Sequence, residues 1–290
     1  MSVSDRDLAA FQQHGRTATL MVNLEGNFVQ TDEYHKFRDR VFAVVEAREA
    51  RLDAGRFEQK GAALIGAAGC GKTRMAEEVI EEYHALVDAS GPRKFGNRIV
   101  STIVPGRATV GETLKAIISA LIGTAFVANR KDDYLTNVLI NYMKEAGVVA
   151  IHLDEAQDVG RYKTSDSIEA FSKRFRNLTQ NKEWPICLII TATTEGRALI
   201  NHDPTLTRRL RPIEIRPITF ANDAIVLRKT ISNLLHDAKI GDPGLLAQNE
   251  FIRILIHASV GRFGVAIEMA IEAIGECYAD GSDIIDMGYF

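Results

Sequence analysis

The chain has 290 residues, 46% of them hydrophobic and 25% charged, an ordinary globular composition that leaves room for one large domain or a core with a smaller unit attached. No apolar run approaches the ~18 residues of a membrane span, and Asp5, Arg6 and Asp7 stand where a signal peptide would need its apolar centre, so a cytoplasmic protein with no membrane association is expected. A net charge of -3 excludes a globally basic nucleic-acid binder but not a local basic surface, and the three widely spaced cysteines, Cys70, Cys187 and Cys277, read as free thiols without metal spacing.

Residues 1–60 read as an N-terminal extension and helix. Within it, 5–13 are expected to form a short helix and 18–29 to be extended or irregular. Thr31 is placed to cap a helix with Asp32 and Glu33 in its first turn, and Phe37, Val41, Val44 and Val45 recur at helical spacing. Residues 51–60 read as a polar connector.

Residues 61–219 read as an α/β core. The apolar run Ala62–Ile65 is of strand length and leads into Gly66-Ala67-Ala68-Gly69-Cys70-Gly71-Lys72-Thr73, which fits G-x-x-x-x-G-K-[ST]. Arg74 follows in a run of good helix formers. The glycines allow a tight turn whose N–H groups face phosphate oxygens, and the helix N-terminus adds its positive end. Gly66 to Arg74 is therefore the expected nucleotide-binding segment, with Lys72 on the β- and γ-phosphates and the Thr73 hydroxyl on Mg²⁺.

A second strand is expected at 98–104, ended by Pro105-Gly106. Thr109 is placed to cap a helix carrying Leu114, Ile117, Ile118 and Leu121, and a further helix is expected at 134–145, ended by Gly147. Val148–Glu155 is an apolar strand ending in two acids. Strands buried on both faces look like this, and their carboxyl ends carry the ligands of parallel sheets. Asp154 fits a Mg²⁺-holding role, and Glu155 fits the base that orients or activates the attacking water. His152, inside the strand, reads as a satisfied core histidine. Helix 166–180 presents Lys173, Arg174 and Arg176 away from most of its apolar face. The strand 186–192 is followed by Thr193, whose hydroxyl could bond the γ-phosphate or the water. A helix near 195–201 and a short strand at 213–215 complete the core. One strand–helix unit between the two diagnostic strands suits a sheet with an extra strand inserted between them.

Residues 220–290 change texture to helices only and read as a small all-helical lid. Asn222 is placed to cap a helix over 223–235, and helices are expected at 245–259 and 265–279.

With these motifs in place the chain resembles the AAA+ ATPases over residues 31–279. The resemblance implies a parallel five-stranded sheet sandwiched by helices, ATP and Mg²⁺ as cofactors, and a homo-oligomer, ring or helical filament, with ATP between subunits. It implies that Gly66–Thr73 is Walker A, Val148–Glu155 Walker B and Thr193 sensor 1. Arg208 and Arg209 take the arginine-finger position, an Arg fork neutralising charge on the phosphoryl group, and Arg262 takes sensor 2. Within that group the Asp154-Glu155-Ala156-Gln157 box, the Ala192-Thr193-Thr194-Glu195 turn and the compact lid are similar to the transposon regulators TniB and TnsC, and more distantly MuB. The family turn usually reads Gly-Thr-Pro-Glu, so Ala192 and Thr194 depart from it. This similarity implies an ATPase on duplex DNA that recruits or activates a transposase, with a target-selection protein as a further partner. In such an oligomer Arg107, Thr109, Arg130 and Lys131 could line a central passage and contact phosphate. A helicase loader, an initiator-like ATPase, or a weakly hydrolysing ATP-dependent scaffold are the alternatives.

Overall fold

The computed structural model describes residues 5–91, 93–106, 108–159 and 165–290. In chain order its elements are α1 (Asp5–Glu25), α2 (Asp32–Asp53), β1 (Gly61–Ile65), α3 (Lys72–Ser90), β2 (Arg98–Ile103), α4 (Val110–Ile122), α5 (Asp132–Glu145), β3 (Val148–Asp154), α6 (Ser165–Thr179), β4 (Cys187–Ala192), α7 (Arg197–His202), α8 (Pro204–Leu210), β5 (Pro212–Glu214), α9 (Phe220–Ala238), α10 (Asn249–Ala258) and α11 (Phe263–Ala279). They fall into two compact units. One comprises Thr31–Ala68 and Lys72–Ile215; the other comprises the residues up to Gln30, Gly69–Gly71 and Arg216–Phe290.

The first unit is built on a five-stranded sheet of order β2-β3-β4-β1-β5 with every pairing parallel. The inserted strand expected between the two diagnostic strands is β4. The strands β1, β3 and β4 are buried at every position, as strands covered on both faces must be. The edge strand β2 is mostly uncovered: Ile99 is buried, Val100 and Thr102 are half-buried, and Arg98, Ser101 and Ile103 are exposed, Ile103 to 64%. Leu114, Ile117, Leu139, Met143, Phe171 and Phe175 belong to the core cluster built around the sheet.

Helix α2 starts where the sequence placed it: the Thr31 side chain accepts from Tyr34 N–H, and Phe37, Val41, Val44 and Val45 are buried. It runs on to Asp53, into the expected connector, where the Ala54 N–H closes it on Ala50 O, and Arg48 is buried with it. The Arg48 guanidinium lies over the Trp184 ring, 4.7 Å from its centroid, and donates to Pro185 O at 2.7 Å and Phe95 O at 2.9 Å. It thereby ties the approaches to β2 and β4. The loops before β2 and β3 meet backbone to backbone: a Cβ on Gly96 would lie 2.3 Å from Gly147 O, and both residues have positive φ. Asp203 and Pro204 begin α8, with Asp203 accepting from Thr205 N–H, a helix the sequence reading left out.

The second unit has its own apolar cluster, drawn from α1, α9, α10 and α11. Here three expectations are corrected. Residues 5–25 form one helix rather than a short helix followed by irregular chain. Leu24 is 2% exposed, and a Cβ on Gly275 would lie 2.7 Å from Met21 Sδ, so burial against α11 stabilises a segment of ordinary propensity. Helix α9 starts after Thr219 rather than Asn222, because the Asp223 carboxylate reaches back to Thr219 N–H at 2.7 Å. Helix α10 starts at Asn249 rather than 245, because Asp242 takes up the N–H groups of Gly244 and Leu245 in a turn. Val260, past the end of α10, sits at φ +53, a conformation strained for a β-branched residue.

Candidate functional site

The phosphate loop leaves β1 with Gly66 N–H bonded to Ala192 O at 3.2 Å. Gly69 at φ +73 and Gly71 at φ +92 occupy backbone conformations that side chains resist. Gly66 and Cys70 are buried, Ala67 is half-buried, and Ala68 is exposed with Gly69. The loop ends on the N-terminus of α3, whose first two residues are Lys72 and Thr73. Lys72 is 5% exposed and its ammonium donates to Ala67 O at 3.0 Å. Arg74 points along the helix to Glu78, 2.7 Å away.

Opposite the loop stands the end of β3. Thr73 Oγ1 donates to Asp154 Oδ2 at 2.7 Å. The other oxygen, Oδ1, accepts from Glu155 N–H at 2.9 Å and from the Thr191 hydroxyl of β4. Glu155 has φ +53, a left-handed posture costly for a side-chain-bearing residue and held here at both ends. Its backbone is tied to Asp154, and its carboxylate accepts from Gln157 Nε2. Gln157, only 3% exposed, uses its amide oxygen to accept from Thr193 N–H at 2.9 Å. The acid and the turn after β4 are thus one hydrogen-bonded unit. The Thr193 hydroxyl oxygen is buried and has no hydrogen-bond partner among the described residues.

Sequence reasoning assigned no role to Gln157 or Thr191. The signal for Thr191 was present: a Thr one residue before a strand's end, on the same face as its neighbour strand's acid. His152 is indeed satisfied, between Ser101 Oγ at 2.8 Å and Thr191 Oγ1 at 2.9 Å. Burial pulls its pKa down to about 4 against the opposing pull of Asp154.

The residues present fit a magnesium-bound nucleotide. Thr73 spends its proton on Asp154, leaving hydroxyl lone pairs beside a carboxylate oxygen, two hard donors of the kind Mg²⁺ takes alongside phosphate oxygens. The buried Lys72 ammonium stands at the end of the phosphate loop, and the buried Thr193 hydroxyl, without a partner among the described residues, stands in the turn after β4.

The two candidate finger arginines part company. Arg208 is exposed, whereas Arg209 is 5% exposed, donates to Thr179 Oγ1 at 2.9 Å and lies 3.0 Å from a Glu58 oxygen. Arg262 caps α11 in the unit that also holds Gly69–Gly71. There Val265 N–H donates to Gly69 O at 3.1 Å, and a Cβ on Gly69 would lie 4.0 Å from Arg262 Cδ.

Of the four loop residues considered for DNA, Arg107 lies outside the described residues. Thr109 is the N-cap of α4 in a reciprocal capping box with Glu112. Arg130 and Lys131 are exposed, with the Arg130 guanidinium 5.8 Å from the Tyr134 ring centroid. On α6, Arg174 pairs with Asp133 and Arg176 with Asp203, each at 2.8 Å, leaving Lys173 as the exposed member of that trio. Among the described residues no single helix is long and apolar enough to cross a membrane.

Comparison with known proteins agrees with this geometry. No curated protein sequence is similar enough to count as a relative. Among solved structures, the Aeropyrum pernix ORC1 protein in complex with DNA is similar at TM-score 0.62 and 16% identity, over 87% of this chain and 62% of that one. The Aeropyrum pernix ORC2 protein, in its ADPNP–ADP complexes, is similar at TM-score 0.61 and 11% identity, over 86% and 65%. The Thermotoga maritima RuvB Holliday junction branch migration motor is similar at TM-score 0.50 and 16% identity, over 88% and 66%. This chain therefore spans less than two thirds of the length of each, and at these identities the likeness is one of fold. A family model described as AAA domain matches residues 55–200, the stretch that holds the phosphate loop, Asp154, Glu155 and Thr193. With its sheet order, its phosphate loop and that match, the chain belongs to the AAA domain family of P-loop nucleotide triphosphatases.

Proposed function

We propose that this protein is an ATPase that assembles with ATP on duplex DNA and regulates transposition, recruiting or activating a transposase at target DNA. The observation that carries hydrolysis is the tether from Glu155 through Gln157 to the Thr193 turn. A protein that only held nucleotide would need neither a buried amide aiming an acid nor the acid itself, which speaks against the scaffold reading. Lys72 binds the β/γ-phosphates, Thr73 and Asp154 hold Mg²⁺, Thr193 offers its hydroxyl to the γ-phosphate or the water, and Glu155 accepts the water's proton. The cation, when bound, neutralises charge developing on the phosphates. Arg208, exposed where Arg209 is buried, is the finger that reaches a neighbouring subunit's nucleotide, and Arg262 contacts nucleotide from its own chain.

The regulator reading draws its support from the Asp154–Gln157 box and the Ala192–Glu195 turn. A second reading, an initiator-like ATPase or helicase loader, draws support from the likeness to the ORC1 structure with DNA. Both place the protein on duplex, which an acidic chain can bind by concentrating Arg107, Arg130 and Lys131 on one surface and repeating them by assembly.

The test is a duplex-binding isotherm with a non-hydrolysable ATP analogue over a salt series, with Lys72→Ala and Glu155→Gln alongside. Binding should need nucleotide, vanish in Lys72→Ala, persist in Glu155→Gln without turnover, and fall steeply with salt. Neutralising Arg107, Arg130 and Lys131 should flatten that slope. Nucleotide-independent binding, or none, would overturn the DNA role. Capture of a transposase encoded beside the gene would favour the first reading, and capture of a replicative helicase the second.

A further inference from the structure

We propose that Thr191 and His152 are positioning residues for the Asp154 carboxylate. A relay running Ser101–His152–Thr191–Asp154 commits Oδ1 to the protein and turns Oδ2, beside the Thr73 hydroxyl, toward a divalent cation. This rests on the nucleotide-binding reading above.

The relay crosses three strands. Ser101 of β2 is the register partner of His152 of β3, and His152 is the partner of Ile189 of β4. Thr191 lies two residues beyond Ile189 and Asp154 two beyond His152, so strand alternation puts all four side chains on one face of the sheet. Ser101 is exposed at the edge strand, but His152, Thr191 and Asp154 are buried, and there an unsatisfied hydroxyl or imidazole is costly and a partly connected network is worse than none. Here every member has its partner.

The donor inventory allows one direction of bonding. The Asp154 carboxylate has only lone pairs to offer, so the Thr191 hydroxyl must spend its single proton on Oδ1. The Thr191 oxygen then faces His152 Nε2 at 2.9 Å as an acceptor, which requires the proton on Nε2. A neutral ring protonated there presents a lone pair at Nδ1, and Ser101 Oγ donates to it at 2.8 Å. One imidazole tautomer thus fixes the hydroxyl, and the hydroxyl fixes the carboxylate. With Glu155 N–H as the second donor to Oδ1, rotation of the carboxylate about its Cβ–Cγ bond breaks both bonds to Oδ1 together with the one that Thr73 donates to Oδ2.

Without the Thr191 hydroxyl, Oδ1 keeps only the Glu155 N–H and the carboxylate is held less firmly against Thr73, while the phosphate loop is untouched. Thr191→Val should therefore raise the Mg²⁺ or Mn²⁺ concentration needed for half-maximal ADP-dependent metal binding by about tenfold, read by Mn²⁺ electron paramagnetic resonance on the full chain. The affinity for a fluorescent nucleotide in EDTA should change by less than about twofold. Thr191→Ser, which restores the hydroxyl, should recover the wild-type metal dependence. A purely structural role for Thr191 would lower stability without separating metal affinity from metal-free nucleotide affinity. Independently, the ¹⁵N spectrum of histidine-labelled wild-type protein should show His152 protonated at Nε2 only. A protonated Nδ1, or a Thr191→Val protein with wild-type metal dependence, would overturn the assignment. If wild-type protein bound no nucleotide in either buffer, the nucleotide reading would fall as well, an outcome distinct from both.

Discussion

The amide of Gln157 is the most exacting test of the proposed site, because it touches both the Glu155 carboxylate and the Thr193 turn. In Gln157→Ala two bonds disappear: the one from Nε2 to the Glu155 carboxylate and the one that Oε1 accepts from Thr193 N–H at 2.9 Å. A hydrogen bond to a charged group contributes about 1.5–3 kcal/mol and a neutral one about 1 kcal/mol. The second loss falls mainly on stability, since it leaves a buried N–H unpaired. The first falls on the orientation of Glu155 in the transition state, and 1.5–3 kcal/mol there is roughly a 10- to 100-fold loss in kcat. Nucleotide contacts are unchanged, so KM for ATP should stay within about threefold, as expected when an interaction made only in the transition state is removed. Gln157→Glu keeps the shape but sets a second carboxylate against Glu155, and should cost at least as much. The assay is steady-state phosphate release over a range of ATP, with a fluorescent nucleotide reporting affinity and thermal unfolding confirming the fold. A folded Gln157→Ala protein with kcat within twofold of wild type, or one whose whole loss lies in KM, would refute the coupling.

Thr193→Val exchanges a buried hydroxyl that has no partner among the described residues for a methyl of the same shape. Stability should hold or rise by up to about 1 kcal/mol in urea unfolding, while kcat falls by about tenfold or more. Loss of stability with normal turnover would count against a role at the phosphate. Arg208→Ala should abolish assembly-dependent hydrolysis at unchanged stability. Arg209→Ala, losing its bond to Thr179 and the company of Glu58, should cost about 1–3 kcal/mol of stability first. The opposite pattern would make Arg209 the finger. Val260→Asn should raise stability by about 1 kcal/mol, because asparagine tolerates φ +53 better than a β-branched residue does; unchanged unfolding would mean that the loop relaxes around valine.

Much of the fold follows from short-range pattern. The apolar runs that became β1, β3 and β4, the caps at Thr31 and Thr109, and the glycines of the phosphate loop each act within a few residues of themselves. Lys72, Thr73, Asp154 and Glu155 were legible for the same reason, since each lies where a strand ends or a helix begins. The inserted position of β4 could be expected because only one strand–helix unit fits between β1 and β3.

Other features depend on segments far apart in the chain. Residues 18–25 have no strong helical pattern, and only burial of Leu24 and Met21 against α11 makes them helix. The sequence presents Arg208 and Arg209 alike, yet Thr179 and Glu58 reach one of them and leave the other exposed. The relay from Ser101 to Asp154 and the bridge from Glu155 to Thr193 join residues more than thirty positions apart, and each needs strand register correct to a single residue. Local propensity determines which segments become strands and helices. Which polar side chains meet is decided by the register of three parallel strands, because a slip of one residue would turn every one of them to the opposite face.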